Sequence, residues 1–313
     1  MMWPVFVRPS LVVPQAFPGL SDADLTMTIA RAAEDHGFRV LEIVAPESDA
    51  LLDAAGKAAR SRDAALILLA GLPLLRARAS LSADGPERRK AVETVARILD
   101  RASAVGAEAV LVTTGPDPAP SARAAAVERL VESLVELSDR ASGSGVTVRL
   151  EPTDTNLHHR QVVGPTALAV DLVRRVARRG GRIDINLDLS HIIELGESPG
   201  EAFAAAAGDC RHVHLANCAV EPGHPLRGDR HPPFGWPGTE VDQRTLARAL
   251  TSLDRSGYFA DAACVLGVEV IPPEDRDPWA TLGEAVAAVG AAMERAGLTP
   301  RAGDPRSPTS AGL

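Results

Sequence analysis

The chain has 313 residues and a formal net charge of −8. That balance argues against a basic surface of the kind that holds nucleic acid. Hydrophobic residues make up 45% and aromatic residues 3%, so Ala, Val and Leu must fill the core. Such a core suits many short, similar βα units better than a β-sandwich.

The length fits one barrel of ~250 residues with loops and a tail, and it also fits two small domains. Three cysteines, Cys210, Cys218 and Cys264, form no C-x-x-C pair. A disulfide framework is therefore not expected, and a reducing cytoplasm is. Met1 to Phe17 is apolar but broken by Pro4, Pro9 and Pro14, which is not the form of a signal peptide. No run approaches the ~18 apolar residues of a membrane span.

Apolar strand-like runs alternate with Ala-rich helical runs, the pattern of parallel βα units. Pro4 to Val13 reads as strand one with its exit loop. A helix follows, with Ser21 as its cap, and stops at His36-Gly37. Val40 to Ala45 (VLEIVA) is strand two, Leu51 to Arg62 a helix, and Ala65 to Ala70 (ALILLA) strand three. A long loop, Gly71 to Gly85, is expected next, then a helix from Pro86 to Val105. Ala109 to Thr113 is strand four, and Ser121 to Ser142 is a long helix.

Val146 to Glu151 (VTVRLE), Ile183 to Leu189 (IDINLDL), His212 to Ala216 (HVHLA) and Val265 to Ile271 (VLGVEVI) complete the strands. Helices are expected between them at Ala167 to Arg179, Pro199 to Ala207 and Gln243 to Ser256. The arginines at 174, 175, 178 and 179 read as a solvated helix face near its C-terminus. A final helix spans Thr281 to Ala296. The count predicts an α/β chain folded as a single-domain (β/α)8 TIM barrel over residues 1–298, with an open doubly wound sheet as the alternative. No G-x-G-x-x-G or P-loop follows strand one. The tail, 299–313, is rich in Pro, Ser and Gly and is expected to be disordered.

Functional residues of such barrels collect at the C-terminal ends of the strands. Here four consecutive strand ends carry an acid or imidazole: Glu151, Asp188, His214 and Glu269. One such residue alone is ordinary. Four facing one pocket would repel or desolvate one another without a cation, so one divalent ion is expected. Mixed carboxylate and imidazole donors suit Mn²⁺, Co²⁺ or Zn²⁺ and suit Mg²⁺ less. His212 shares a strand face with His214 but lies one layer deeper and reads as structural. His191, placed on a loop just past Asp188, is expected to touch substrate. The segment Gly228 to Gly238 (GDRHPPFGWPG) combines proline rigidity with Asp229, His231 and Trp236, and these three are expected to face substrate.

The ordered set LEP, DLSH, HVH and GVEV, together with GFRVLEI from Gly37, resembles the xylose-isomerase-like superfamily of sugar isomerases and epimerases. The resemblance implies metal binding by Glu151, Asp188, His214 and Glu269, with Mn²⁺ expected. It also implies a sugar substrate and acid/base roles for Glu151 and Glu269 at a carbon next to a carbonyl. His191 matches a substrate-contacting histidine. Ketose 3-epimerases of this type carry Glu and Arg where this chain has Asn217 and Val220.

The run HVHLANC with GDRHPPFGWPG, and Glu151-Pro152-Thr153-Asp154 with Val163-Gly164-Pro165, resembles the α subunits of C-glycoside deglycosidases. That likeness makes a metal-dependent lyase the leading expectation, one that cleaves 3-oxo-glycosides by β-elimination. His191 or His231 would serve as the acid, with Asn217 among the substrate contacts. A small β subunit or a homo-oligomer would be the partner. A ketose isomerase or 3-epimerase is the alternative. Asp229 and His231 also resemble the D-x-H of endonuclease-IV-like hydrolases, but strands two to four lack the histidines of that multinuclear site. An inactive metal-binding scaffold is the remaining reading.

Overall fold

A computed structural model describes residues 3, 4, 6–260 and 264–298; the expected tail at 299–313 lies outside them. Eight strands form a closed barrel in chain order, with every neighbouring pair parallel. They are β1 Arg8–Val12, β2 Val40–Ile43, β3 Ala65–Leu69, β4 Ala109–Val112, β5 Thr147–Leu150, β6 Ile183–Asp188, β7 Cys210–Ala216 and β8 Val265–Glu269. The helices are α1 Val13–Ala16, α2 Leu25–His36, α3 Asp49–Arg60, α4 Gly71–Ala77, α5 Gly85–Val105 and α6 Pro120–Ala141. They continue as α7 Thr166–Arg178, α8 Leu189–Glu194, α9 Pro199–Ala205, α10 Gln243–Arg255 and α11 Pro278–Arg295. The closed β1–β8 pairing excludes the open-sheet alternative.

Two expected boundaries shift. Ser21 does not cap α2: its Oγ donates to Asp24 Oδ2 at 2.6 Å in a turn, and the helix begins at Leu25. The expected loop at 71–85 contains α4, whose opening Gly-Leu-Pro tolerates helix geometry because proline needs no N–H donor in the first turn. The arginine-rich end of α7 is a solvated face, with Arg175 and Arg179 near Glu128 and Arg174 near Asp209.

Alternation along the strands divides the molecule into layers. Ile183, Ile185 and Leu187 of β6 point outward into the large core beneath the helices. Asp184, Asn186 and Asp188 take the alternate positions, facing the barrel axis. In β7 the register shifts between Ile185 and Asn186, which pair with Cys210 and His212. This bulge places Cys210 in the outer core while His212 and His214 face inward, and bulges next to sites commonly re-aim side chains in this way.

The interior is asymmetric. Val40, Ile67, Ala109 and Leu111 of β2–β4 form a small apolar cluster with Val265 of β8. Ser10, Glu42, Arg149, Asn186 and His212 form a buried polar floor.

Candidate metal centre

Glu151 leaves the end of β5, Asp188 and Glu269 close β6 and β8, and His214 sits in β7. The pairing of Asp188 with His214, and of His214 with Gly267 two residues before Glu269, sets these ends at one mouth. All four are buried, and a ligand atom from each lies within 4.8 Å of the others. His214 Nδ1 is 2.8 Å from Glu269 Oε2, 3.4 Å from Glu151 Oε1 and 3.8 Å from Asp188 Oδ2.

The donor set fits a divalent cation. Asp188 Oδ1 accepts from the N–H and hydroxyl of Ser190, at 2.6 and 2.5 Å. Its Oδ2 is buried and has no hydrogen-bond partner among the described residues. A buried carboxylate oxygen without a partner is costly unless a cation meets it. The protonation pattern says the same. Burial pushes the Asp188 carboxyl up to about 6 despite His191. Burial alone would lower His214, but Glu42 and Glu269 outweigh it and hold the imidazole above its ordinary range.

The sequence reading overlooked the residues beneath the site. Glu42, at 0% exposure, receives Ser10 Oγ at 2.6 Å and approaches His214 Nε2 at 3.0 Å and His212 Nε2 at 3.2 Å. Burial drives the His212 pKa down to about 4, and Arg149 Nη1 lies 3.3 Å from its Nδ1. Arg149 is itself clamped by Asp184 at 2.6 and 2.9 Å. Asn186 donates to Glu151 Oε1 at 2.9 Å. The available signal was the polar alternation in IDINLD, in strands that a barrel covers on both faces.

Beside the four-residue cluster lies a second polar hub. Asp229 Oδ1 meets His231 Nε2 at 2.6 Å and His191 Nε2 at 3.2 Å, and Asp229 Oδ2 contacts His159 Nε2. Burial would raise Asp229, but His231, His159 and His191 hold it well below the usual carboxylate range. His231 Nε2 also lies 3.3 Å from Glu269 Oε1, so it links the two clusters. It adopts φ +39°, and Ile271 N–H donates to its carbonyl at 2.7 Å. A non-glycine residue there stores strain that surrounding contacts must hold.

His191 lies on α8 rather than on a loop and faces Pro152 O at 3.2 Å. His159 was missed. It rides on a loop folded by the Asp154 carboxylate, which accepts four consecutive N–H groups from Asn156 to His159.

Two further residues expected to face substrate have partners within the protein. Asn217 is fully buried; it donates to Pro233 O and Thr239 Oγ1 and accepts from Val241 N. Its amide braces the 217–241 loop. Trp236 is half-buried, with the Arg276 guanidinium 5.6 Å over its ring.

A closed parallel barrel with carboxylate and imidazole groups gathered at its C-terminal mouth defines a (β/α)8 protein with a cluster that could hold a metal ion. The model of the xylose isomerase-like TIM barrel family matches residues 30–260, and the chain belongs to that family. No curated protein sequence matches the chain. Among solved structures, L-ribulose 3-epimerase is similar at 19% identity and TM-score 0.73, covering 93% of this chain and 95% of that one. The IolI protein with a bound zinc atom is similar at 18% identity and TM-score 0.71, covering 92% and 99%. The 3-keto-D-glucoside 4-epimerase of E. coli is similar at 16% identity and TM-score 0.65, covering 92% and 99%.

Proposed function

We propose that this chain is a metal-dependent sugar isomerase or epimerase that moves a proton at a carbon next to a carbonyl. The observation that carries this is the convergence of two glutamates with Asp188 and His214 in one buried cluster. The structural neighbours described as ribulose and keto-glucoside epimerases support the same class. Glu151, Asp188, His214 and Glu269 would hold one divalent ion, which we take to be Mn²⁺, with Co²⁺, Zn²⁺ and Mg²⁺ as alternatives. Such an ion supplies Lewis-acid polarisation of a sugar carbonyl and its neighbouring hydroxyl.

The protein's own groups do the rest. Glu151 and Glu269 come from β5 and β8, so one carboxylate can take the proton and the other can return it. His191, Asp229 and His231 would orient hydroxyls along one wall, and Trp236 would offer a face to the sugar ring. Among the described residues no helix is long and apolar enough to cross a membrane. Cys210, Cys218 and Cys264 are buried and form no disulfide among the described residues, and we place the protein in the cytoplasm.

One observation favours a second outcome. His231 stands between Asp229 and Glu269, where an imidazolium could protonate a departing group. That supports a lyase acting on 3-oxo-glycosides by β-elimination, with a small β subunit or a second copy of the chain as partner. Incubation of Mn²⁺-loaded protein with ketoses and with 3-oxo-glycosides in D₂O separates these outcomes. Deuterium entering beside the carbonyl of a ketose supports the epimerase, and aglycone release supports the lyase. No exchange in either refutes proton transfer. Metal analysis gives a further check, because His191, Asp229 and His231 also bring ligand atoms within 4.8 Å. More than one tightly held ion per chain would favour a hydrolase.

A further inference from the structure

We propose that Glu42 is the positioning residue that turns the His214 ring so that Nδ1 faces the ion. This rests on the metal-centre reading above. Glu42 sits mid-strand in β2, fully buried and remote in sequence from every expected ligand. His214 Nε2 lies 3.1 Å from one Glu42 oxygen and 3.0 Å from the other. An ionised carboxylate only accepts, so the facing nitrogen must carry hydrogen. In the neutral ring the lone pair is then on Nδ1, the nitrogen directed at Glu269, Glu151 and Asp188.

The orientation of Glu42 is itself specified. Ser10 Oγ donates to Oε1, and His212 Nε2 lies 3.2 Å from the same atom. His212 is turned by Arg149 at its other nitrogen, and Arg149 is clamped by Asp184. The chain Asp184–Arg149–His212–Glu42–His214 therefore runs from the barrel floor to the metal ligand. Gly267 in β8 leaves room for it: a Cβ there would lie 2.7 Å from His214 Cδ2 and 2.8 Å from Ser10 Oγ. Carboxylate partners of metal-ligating histidines fix the tautomer and the ring orientation in this way.

The test does not depend on turnover. In protein with ¹⁵N-labelled histidine loaded with ¹¹³Cd²⁺, the expected His214 signature is Nε2–H with cadmium coupled to Nδ1. Cadmium affinity should fall roughly 10–100-fold in E42A, and E42Q, which keeps one acceptor, should recover most of it. Cadmium bound through Nε2 in the wild type overturns the proposal. So does a folded E42A whose affinity stays within about threefold of wild type, well short of that range. If E42A does not fold, the wild-type tautomer and E42Q decide the matter. His214→Ala is the control: if it leaves affinity unchanged, the metal-centre reading fails rather than the role of Glu42.

Discussion

Glu194 on α8 is 8% exposed, and neither of its carboxylate oxygens has a hydrogen-bond partner among the described residues. Burial raises its pKa from 4.5 to about 7, with His191 pulling the other way. Between those two values the folded chain keeps a proton that the unfolded chain has lost. Stability therefore falls as pH rises through that window. The gap corresponds to about 3 kcal/mol at ~1.36 kcal/mol per pH unit, absent well below 4.5 and complete above 7.

Glu194→Gln removes the titration. Urea unfolding of wild type and variant, metal-free in chelator at pH 5 and pH 8, isolates the effect, because any fixed cost of a buried amide cancels. Wild type should lose about 2.5 kcal/mol relative to the variant between the two pH values. Curves that stay parallel within about 0.5 kcal/mol would refute a buried neutral acid here. Adding Mn²⁺ should shrink the difference, because a cation at Asp188 favours charged Glu194.

Other expectations follow from the same geometry. Metal binding must displace protons from Asp188, at about 6, and from His214, above its ordinary range. Affinity should thus rise with pH through 6 and beyond; calorimetry in buffers of different ionisation enthalpy should detect proton release, and its absence at pH 6 would contradict the assignment. Asp188→Asn should weaken metal binding by more than the ~10–100-fold typical of residues one shell further out, measured by equilibrium dialysis. Asn217→Ala should cost about 1–3 kcal/mol by leaving loop groups unpaired, with faster proteolysis within 218–240. Unchanged stability would show that the Asn217 amide does not brace the loop.

The strands were legible because each is an apolar run bounded by turn residues, and the order of their polar ends placed the four candidate ligands. Helix α4 was hidden by its glycine and proline. Glu42 was hidden because one acid in VLEIVA reads as incidental. It stands out only once β2 is known to be covered on both faces, where an unpaired charge is not tolerated. The hub around Asp229 was half legible. The D-x-H spacing marked Asp229 and His231. His159 is 70 positions from Asp229 and meets it through the turn that Asp154 folds, a contact no local pattern encodes.

The two glutamates of the proposed proton transfer have unequal surroundings. Glu269 faces two imidazoles, His214 at 2.8 Å and His231 at 3.3 Å; burial would raise its pKa, but His231 and His214 outweigh it and hold it low. Glu151 receives the neutral amide of Asn186 at 2.9 Å and lies further from His214, at 3.4 Å. On the proposed reading Glu151 takes the substrate proton, and Glu269 with His231 forms the proton-returning side. Glu151→Gln should slow exchange of the substrate proton with D₂O by ~10²–10⁴-fold, the usual reach of general base catalysis. His231→Asn should leave that exchange within about tenfold of wild type while cutting product formation by ~10²-fold or more, as loss of a general acid does. The ratio of exchange to product, followed by NMR in one reaction, gives the answer. If His231→Asn slows both equally, His231 serves the first step and the division between the two sides of the site is wrong.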